Sequence, residues 1–325
     1  MFVDLITIVL SFAIVYALVP LMRRVALHTG FVDLPTERKA HKNPLPMLGG
    51  AAMITGFIAT TLTVRHFALH TPFFATPSFN GLLIGAFMMF LIGMVDDFAK
   101  TRGRDFPAWP KFLTQILAAA VLVYSGSVIR GVEVPIRSGY YITFSHWLAD
   151  LLTVLWIVFI VNVFNFLDGL DGLAGGIAAM SASTLLIIST IRGDMPSAIS
   201  AAAIIGVSLA FLRFNFYPAR IIMGDAGSTF IGYVLGSIAV MGAFKSATVI
   251  SIFVPVLALG VPIFDAIYVV AKRVIEKRPV YKADRSHSHY RLLASGLTTI
   301  QTVSVLYIVA LGFSLASIAI ALANR

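Results

Sequence analysis

Long apolar segments alternate with short polar ones along the whole of the 325-residue chain. A helix that crosses the hydrocarbon layer of a membrane needs roughly 20 predominantly apolar residues, and ten segments come close to this length. They cover residues 2–22, 47–65, 79–95, 111–127, 147–166, 172–191, 196–213, 226–244, 247–271 and 299–322. The pattern predicts an all-α fold: a single integral membrane domain, residues 1–325, built as a polytopic transmembrane helical bundle of about ten helices, or eleven.

Composition supports a membrane protein and excludes several other classes. Apolar residues make up 58% of the chain and charged residues only 12%, a balance that soluble domains do not have. The net charge of +9 does not indicate nucleic acid as a partner, because the basic residues fall between apolar runs and form no continuous basic face. The chain has no cysteine, which excludes disulfides, thiolate metal sites and cysteine nucleophiles.

The distribution of basic residues predicts which polar segments face the cytoplasm. Four segments carry 18 of the 24 Lys and Arg residues, namely 23–46, 96–111, 213–225 and 272–298. Because short cytoplasmic loops are enriched in Lys and Arg, we expect these segments to be cytoplasmic, with the loop 162–176 on the same side and both termini periplasmic. Alternating apolar residues around 129–144 predict a small periplasmic hairpin.

Polar residues near the ends of the spans gather on this predicted cytoplasmic side. Placing an ionisable side chain at membrane depth costs free energy, so such a residue is a candidate functional residue. Asp96 and Asp97 follow the third span directly. Two adjacent carboxylates can share a proton or bind a hard cation. A solvated helix end is the alternative interpretation of this pair.

A second polar group has a more specific spacing. Its members recur every third residue, at Asn162, Asn165, Asp168 and Asp171. This spacing keeps them near one face of a helix or tight turn, and oxygen ligands grouped in this way suit Mg²⁺. The alternative is a glycine-rich packing turn whose aspartates cap the next helix.

Asp225 forms a third group with Asn215, on the two sides of the turn before the eighth span. Asp225 stands at the predicted start of that helix, where free N–H groups and the positive end of the helix dipole favour phosphate. A carboxylate, a metal ion and backbone amides could therefore converge there. An aspartate that only caps the helix is the alternative.

Basic residues of the first and last predicted cytoplasmic loops are candidates for binding phosphate. His287, His289 and Arg291 could neutralise a lipid or nucleotide phosphate, whereas zinc would need further ligands that the segment lacks. A basic loop that only contacts anionic lipid is the alternative. Lys42 could meet a nucleotide, or it could simply contribute to the charge bias of the loop.

Together and in this order, these segments resemble the polyprenyl-phosphate N-acetylhexosamine-1-phosphate transferase family, glycosyltransferase family 4. The matching motifs are Asp-x-Pro at Asp33, His-x-x-Pro-x-Pro-x-x-Gly-Gly from His41, the Asp96-Asp97 pair, the segments 162–176 and 215–228, and His-x-His-x-Arg at 287–291. The resemblance implies a multi-pass enzyme of the bacterial inner membrane. Its cytoplasmic loops would bind a UDP-N-acetylhexosamine, and undecaprenyl phosphate would enter from the membrane lipid.

The resemblance also implies a role for each candidate residue. Asn165 and Asp225 would hold Mg²⁺, or Mn²⁺, on the diphosphate. Asp96 would deprotonate the polyprenyl phosphate, with Asp97 beside it. Asp168, which borders the nucleotide, is counted with the catalytic residues, as are His287, His289 and Arg291, which would bind the pyrophosphate or the sugar. The substrate-binding residues would be Lys42, Asn162, Asp171 and Asn215. The resemblance allows a homodimer.

The last loop distinguishes branches of this family. The branch that handles the muramoyl-pentapeptide carries three consecutive His residues, whereas this chain has His287-Ser288-His289-Tyr290. The flanking residues are more similar to the undecaprenyl-phosphate N-acetylglucosamine-1-phosphate transferases, which start O-antigen, enterobacterial antigen or teichoic acid linkage synthesis. That branch often has another His at the place of Tyr290. The resemblance implies transfer of N-acetylglucosamine-1-phosphate and release of UMP.

Three other classes of protein are alternatives to a transferase. A secondary transporter also contains polar residues within helices, but its site lies near the membrane midplane between repeats, whereas these motifs lie at one surface. A CDP-alcohol phosphotransferase carries Ala-Arg where this chain has Gly175-Gly176. A purely structural or lipid-binding protein leaves the carboxylates unexplained. A transporter with a polar site on the cytoplasmic side is the alternative to the transferase.

Overall fold

The computed structural model describes residues 2–33, 44–67, 76–133, 141–242, 249–277 and 287–323. Most of these residues are helical, which confirms the predicted all-α fold. The helices of the described residues are α1 Phe2–Thr29, α2 Gly49–Phe67, α3 Pro77–Thr101, α4 Ala108–Tyr124, α5 His146–Leu167, α6 Leu173–Ile191, α7 Met195–Asn215, α8 Gly224–Gly242, α9 Val249–Ala258, α10 Gly260–Ile275, α11 Ser288–Ala294 and α12 Thr299–Ala323.

Six of these helices are long and apolar enough to cross a membrane: α1, α3, α5, α6, α7 and α12. They confirm a multi-pass membrane protein. α4 is apolar but shorter, with 17 residues. For α2, α4, α8 and the α9–α10 pair, crossing of the membrane stays a prediction.

The ninth predicted span is wrong in one respect, because it is two helices rather than one. α9 ends at Ala258 and α10 begins at Gly260. Pro262 has no N–H to donate to the carbonyl of Ala258, so an uninterrupted helix would lose a hydrogen bond at this point. The short helix α11 lies within the predicted last cytoplasmic loop.

Several helices continue beyond the apolar runs that predicted them. α1 ends at Thr29 rather than at 22, and α3 ends at Thr101 rather than at 95. The hydropathy pattern shows where the chain leaves the hydrocarbon layer of the membrane. The hydrogen bonds of the helix can continue past that point, until the backbone leaves the helical conformation. The polar ends of the helices, not only loops, therefore carry candidate site residues, and Asn162 and Asn165 belong to the last turns of α5.

α8 lies at the centre of the bundle and is buried from Ala226 to Gly242. It packs against α2, α3 and α5. Its start is held by the preceding segment: Ile222 donates a hydrogen bond to the carbonyl of Pro46, and Gly49 and Gly50 donate to Ile222 and Met223. The start of α8 is thereby fixed beside Pro46 and the first turn of α2.

Two short antiparallel strand pairs complete the described fold. β3 Gly131–Glu133 pairs with β4 Tyr141–Thr143, which confirms the predicted hairpin, although its side of the membrane stays a prediction. β1 Val32–Asp33 pairs with β2 Leu45–Pro46. This second pair was not predicted, and it leads the chain into the contact with Ile222.

Candidate active site

Three carboxyl groups meet where α3 packs against the first turn of α8. Asp96 and Asp97 come from α3 and are buried, and Asp225 comes from α8 and is half-buried. One oxygen from each lies within 4.8 Å of the others. We call these three residues the carboxylate cluster.

Asp97 also satisfies the start of α8. Its two carboxyl oxygens accept hydrogen bonds from the backbone N–H groups of Asp225 and Ala226, at 2.9 and 3.0 Å. The first N–H groups of a helix have no partner within the helix, and a negative group there is favoured by the helix dipole. Asp97 therefore joins α3 to α8 as well as contributing to the cluster.

Two glycines allow this close approach of the helices. Gly224 has a φ of +66°, and a Cβ there would lie 2.3 Å from an oxygen of Asp97. On the other helix, a Cβ at Gly93 would lie 2.4 Å from the Cα of Ala226. Side chains at either position would separate Asp97 from Asp225.

Two lysines that the sequence analysis did not single out contact the cluster. The Nζ of Lys100 lies 2.6 Å from Asp96 Oδ2 and 2.7 Å from Asp225 Oδ1. The Nζ of Lys111, on α4, lies 2.8 Å from Asp225 Oδ2 and 3.4 Å from Asp96 Oδ2. The spacing of Lys100 four residues after Asp96 was a signal in the sequence; for Lys111 only the packing of α4 shows the contact.

The donor set of the cluster fits a hard divalent cation. Mg²⁺ is bound in proteins by a small number of carboxylate oxygens together with water and substrate phosphate. Asp96, Asp97 and Asp225 supply three carboxyl groups in reach of one another. The two ammonium groups beside their oxygens show that positive charge is favourable at this position.

Asn165 and Asp168 extend the site from the cluster toward the α5–α6 loop. The Nδ2 of Asn165 donates to Ser228 Oγ at 3.0 Å, and that hydroxyl donates to the carbonyl of Gly224. Asn165 therefore lies against the first turn of α8. Asp168 follows the end of α5, where burial, together with the negative charge of Asp225, raises its pKa to about 7.

Asn162, Asp171 and Asn215 make hydrogen bonds that hold the surrounding segments. Asn162 pairs with Gln115 of α4 at 2.7 Å. The buried Asn215 accepts from the N–H of Gly172 and donates to the carbonyl of Ile221. Asp171 accepts from the N–H of Ala219 at 2.9 Å. These contacts keep the α5–α6 loop beside the approach to α8. Lys42 lies outside the described residues.

α11 places its three candidate residues in different environments. His289 is fully buried against Gly169, and both its ring nitrogens lack a hydrogen-bond partner among the described residues. Burial lowers the pKa of His289 to about 4, so its imidazole is neutral at pH 7. His287 Nδ1 lies 2.7 Å from Asp265 Oδ2. Arg291 is exposed, with its guanidinium 4.4 Å from the ring centre of Tyr268.

A cavity of about 300 Å³ opens beside the cluster between α4 and α5. Its walls are mainly apolar, and Lys111 connects it to the carboxyl groups of Asp96 and Asp225. The lining residues are Ala108, Trp109, Lys111, Phe112, Gln115 and Asn162. An apolar chain that ends in an anionic group matches the chemistry of this cavity.

Comparison with known proteins yields consistent matches. A family model described as glycosyl transferase family 4 matches residues 79–243, which include the carboxylate cluster. A Bacillus subtilis protein named probable undecaprenyl-phosphate N-acetylglucosaminyl 1-phosphate transferase is 34% identical over 95% of this chain and 83% of its own length. A decaprenyl-phosphate N-acetylglucosaminephosphotransferase of Mycobacterium tuberculosis is 31% identical, over 88% and 75%. A phospho-N-acetylmuramoyl-pentapeptide-transferase of Bacillus licheniformis is 29% identical, over 90% of both chains.

Proposed function

Since the chain belongs to glycosyl transferase family 4, we propose that it transfers N-acetylglucosamine-1-phosphate from UDP-N-acetylglucosamine to undecaprenyl phosphate and releases UMP. The observation that carries the proposal is the carboxylate cluster with its two lysines, next to an apolar cavity. The carboxylate cluster and its lysines suit the binding of a metal-bound diphosphate, and the apolar cavity suits the binding of a lipid chain. The names of the similar proteins support a transferase and give no support to the transporter alternative.

In the proposed reaction an oxygen of the lipid phosphate attacks the β-phosphorus of the UDP-sugar. A new P–O bond forms there, the bond from the β-phosphorus to the bridging oxygen breaks, and that oxygen leaves on UMP. Asp96 would take the proton of the lipid phosphate if it arrives protonated. Lys100 and Lys111 would neutralise the phosphate oxygens, so that positioning and charge compensation lower the barrier.

The cluster would also bind the cation that this chemistry needs. Asp225 and Asn165 would hold Mg²⁺, or Mn²⁺, and the adjacent Asp96 and Asp97 add carboxyl groups in reach of Asp225. A bound divalent cation supplies charge neutralisation at the diphosphate. Asp97 would in addition keep the first turn of α8 in place through its two backbone hydrogen bonds.

The remaining candidates would bind the donor. Four of them lie in or beside the α5–α6 loop: Asn162, Asp168, Asp171 and Asn215. Lys42, in the first loop, would complete the nucleotide contacts. His287, His289 and Arg291 would meet the pyrophosphate or the sugar. The segment His287-Ser288-His289-Tyr290 lacks the three consecutive His residues that would indicate the muramoyl-pentapeptide donor, and this favours the simpler N-acetylhexosamine.

A donor panel tests the reaction directly. Purified protein with undecaprenyl phosphate and Mg²⁺ is expected to release UMP at least about 10-fold faster from UDP-N-acetylglucosamine than from UDP-glucose. A chelator should stop the reaction, and added Mg²⁺ should restore it. UMP release that does not require the lipid phosphate, or sugar uptake by proteoliposomes without transfer, would contradict the proposal.

The absence of cysteine from the chain permits a clean test of membrane orientation. Arg104 and Arg130 are exposed and lie beyond opposite ends of α4. If the carboxylate cluster faces the cytoplasm, an impermeant maleimide should label Arg130→Cys in intact spheroplasts and label Arg104→Cys only after permeabilisation. The reverse pattern would place the carboxylate cluster on the periplasmic side and both termini on the cytoplasmic side.

A further inference from the structure

Asp265 lies on α10, apart from the motifs on which the resemblance depends, and contacts the His-x-His-x-Arg segment twice. Its Oδ2 lies 2.7 Å from His287 Nδ1, and its Oδ1 accepts a hydrogen bond from the N–H of Ser288 at 2.6 Å. Asp265 and His287 are both buried. One carboxyl group therefore satisfies the first N–H of α11 and also engages the imidazole at its start.

This contact determines which nitrogen of His287 carries the proton. An ionised carboxylate can only accept hydrogen bonds, so a short contact with Oδ2 requires the proton on Nδ1. The hydrogen bond made by one ring nitrogen sets the state of the other, and Nε2 is then the nitrogen left without a proton in the neutral ring. The ring itself lies between α10 and the end of α5, 5.7 Å from the ring of Phe166.

A second contact from the same face of α10 holds the other end of the segment. Tyr268 follows Asp265 by three residues, and its ring lies under the guanidinium of Arg291 at 4.4 Å. Asp265 and Tyr268 are three residues apart, a spacing that keeps both on one face of α10. They contact His287, which directly precedes α11, and Arg291 within it. α10 orients His287 through a hydrogen bond and Arg291 through a cation–π contact.

We infer that Asp265 is a positioning residue for the transfer reaction. It holds His287 with the proton on Nδ1 and fixes the start of α11, so that His287 and Arg291 meet the donor phosphates in a preset orientation. The role in transfer rests on the proposed function. The state of the His287 ring can be measured without any substrate.

Nitrogen NMR of the full chain in nanodiscs, labelled with ¹⁵N-histidine, tests this assignment. Spectra are recorded at alkaline pH, where an imidazole is neutral, and the His287 signals are identified as those missing from His287→Gln. We expect the proton on Nδ1 in the wild type, a shift of population to the Nε2–H form in Asp265→Asn, and return of the Nδ1–H form in Asp265→Glu. A wild-type ring with its proton on Nε2 would overturn the inference.

Turnover gives the second readout. Asp265→Asn should lower kcat for UMP release about 10- to 100-fold, the range found when the carboxylate that orients a metal-ligating histidine is removed, and Asp265→Glu should recover most of it. Asp194→Asn is the matched control, because Asp194 accepts from the Ser197 hydroxyl at the start of α7; it should keep wild-type turnover and the wild-type His287 spectrum.

Failure of this inference and failure of the proposed function give different results. An active wild type whose Asp265→Asn variant keeps full turnover and the Nδ1–H form overturns the role of Asp265 and leaves the transfer reaction standing. A wild type that releases no UMP from any donor contradicts the transfer reaction, while the spectra still decide whether Asp265 sets the His287 ring.

Discussion

Replacing Asp225 with asparagine is expected to lower the turnover of sugar-phosphate transfer about 1000-fold. The substitution keeps the size of the side chain but removes a carboxylate whose two oxygens contact Lys100 at 2.7 Å and Lys111 at 2.8 Å. The same change removes one of the three carboxyl groups available to a cation. Steady-state UMP release across a range of Mg²⁺ concentrations measures both effects, and half-activation should move to higher Mg²⁺.

Asp150 provides the matched control for this experiment. It is an exposed aspartate near the start of α5, so Asp150→Asn makes the same chemical change away from the cluster and should leave turnover and Mg²⁺ dependence unchanged. The described hydrogen bonds of the Asp225 side chain are those from Lys100 and Lys111, and the unfolding temperature of Asp225→Asn should stay within a few degrees of the wild type. Wild-type turnover with unaltered Mg²⁺ dependence would remove Asp225 from the proposed cation site.

The fold was largely predictable because the hydrocarbon layer imposes one rule on every span. Each of the ten apolar segments overlaps helix within the described residues, and the hairpin around 129–144 is present as β3 and β4. The break at Leu259 was missed because the apolar run is continuous across it. The helix ends were also missed, since a hydropathy pattern follows the lipid boundary and carries no information about where backbone hydrogen bonding stops.

The sequence predicted the types of residue in the site and that they share one side of the membrane. It did not predict how these residues are arranged in space. The family resemblance separates Asp96 and Asp97, for the lipid phosphate, from Asp225, for the metal ion. The structure brings all three into one cluster, because Asp97 hydrogen-bonds the start of α8 across 128 residues of chain. Lys111 was missed and the role of Asp265 stayed open for the same reason, since each acquires its role only through contacts between distant helices.

Replacing Gly93 with alanine should have the second large effect, through the same α3–α8 contact. The added Cβ would lie 2.4 Å from the Cα and 2.5 Å from the N of Ala226, and 2.7 Å from the carbonyl carbon of Asp225. These are backbone atoms that no rotamer change can move, so the helices must separate by about 1 Å, a displacement that can cost about 100-fold in turnover when it disturbs reacting groups. Overpacking of this kind also lowers the free energy of unfolding, by about 1–3 kcal/mol.

Gly312→Ala is the control that separates the steric clash at Gly93 from the general effect of replacing a helical glycine with alanine. It lies on α12, and a Cβ there would meet no described heavy atom within 4 Å. Alanine favours helix over glycine equally at both positions, so Gly312→Ala should keep turnover and hold or raise the unfolding temperature, while Gly93→Ala lowers both. Equal turnover in the two variants would mean that the α3–α8 spacing does not set the geometry of the carboxylate cluster. A loss confined to Gly93→Ala would show that a glycine in the membrane bundle is needed because Asp97 must reach the first turn of α8.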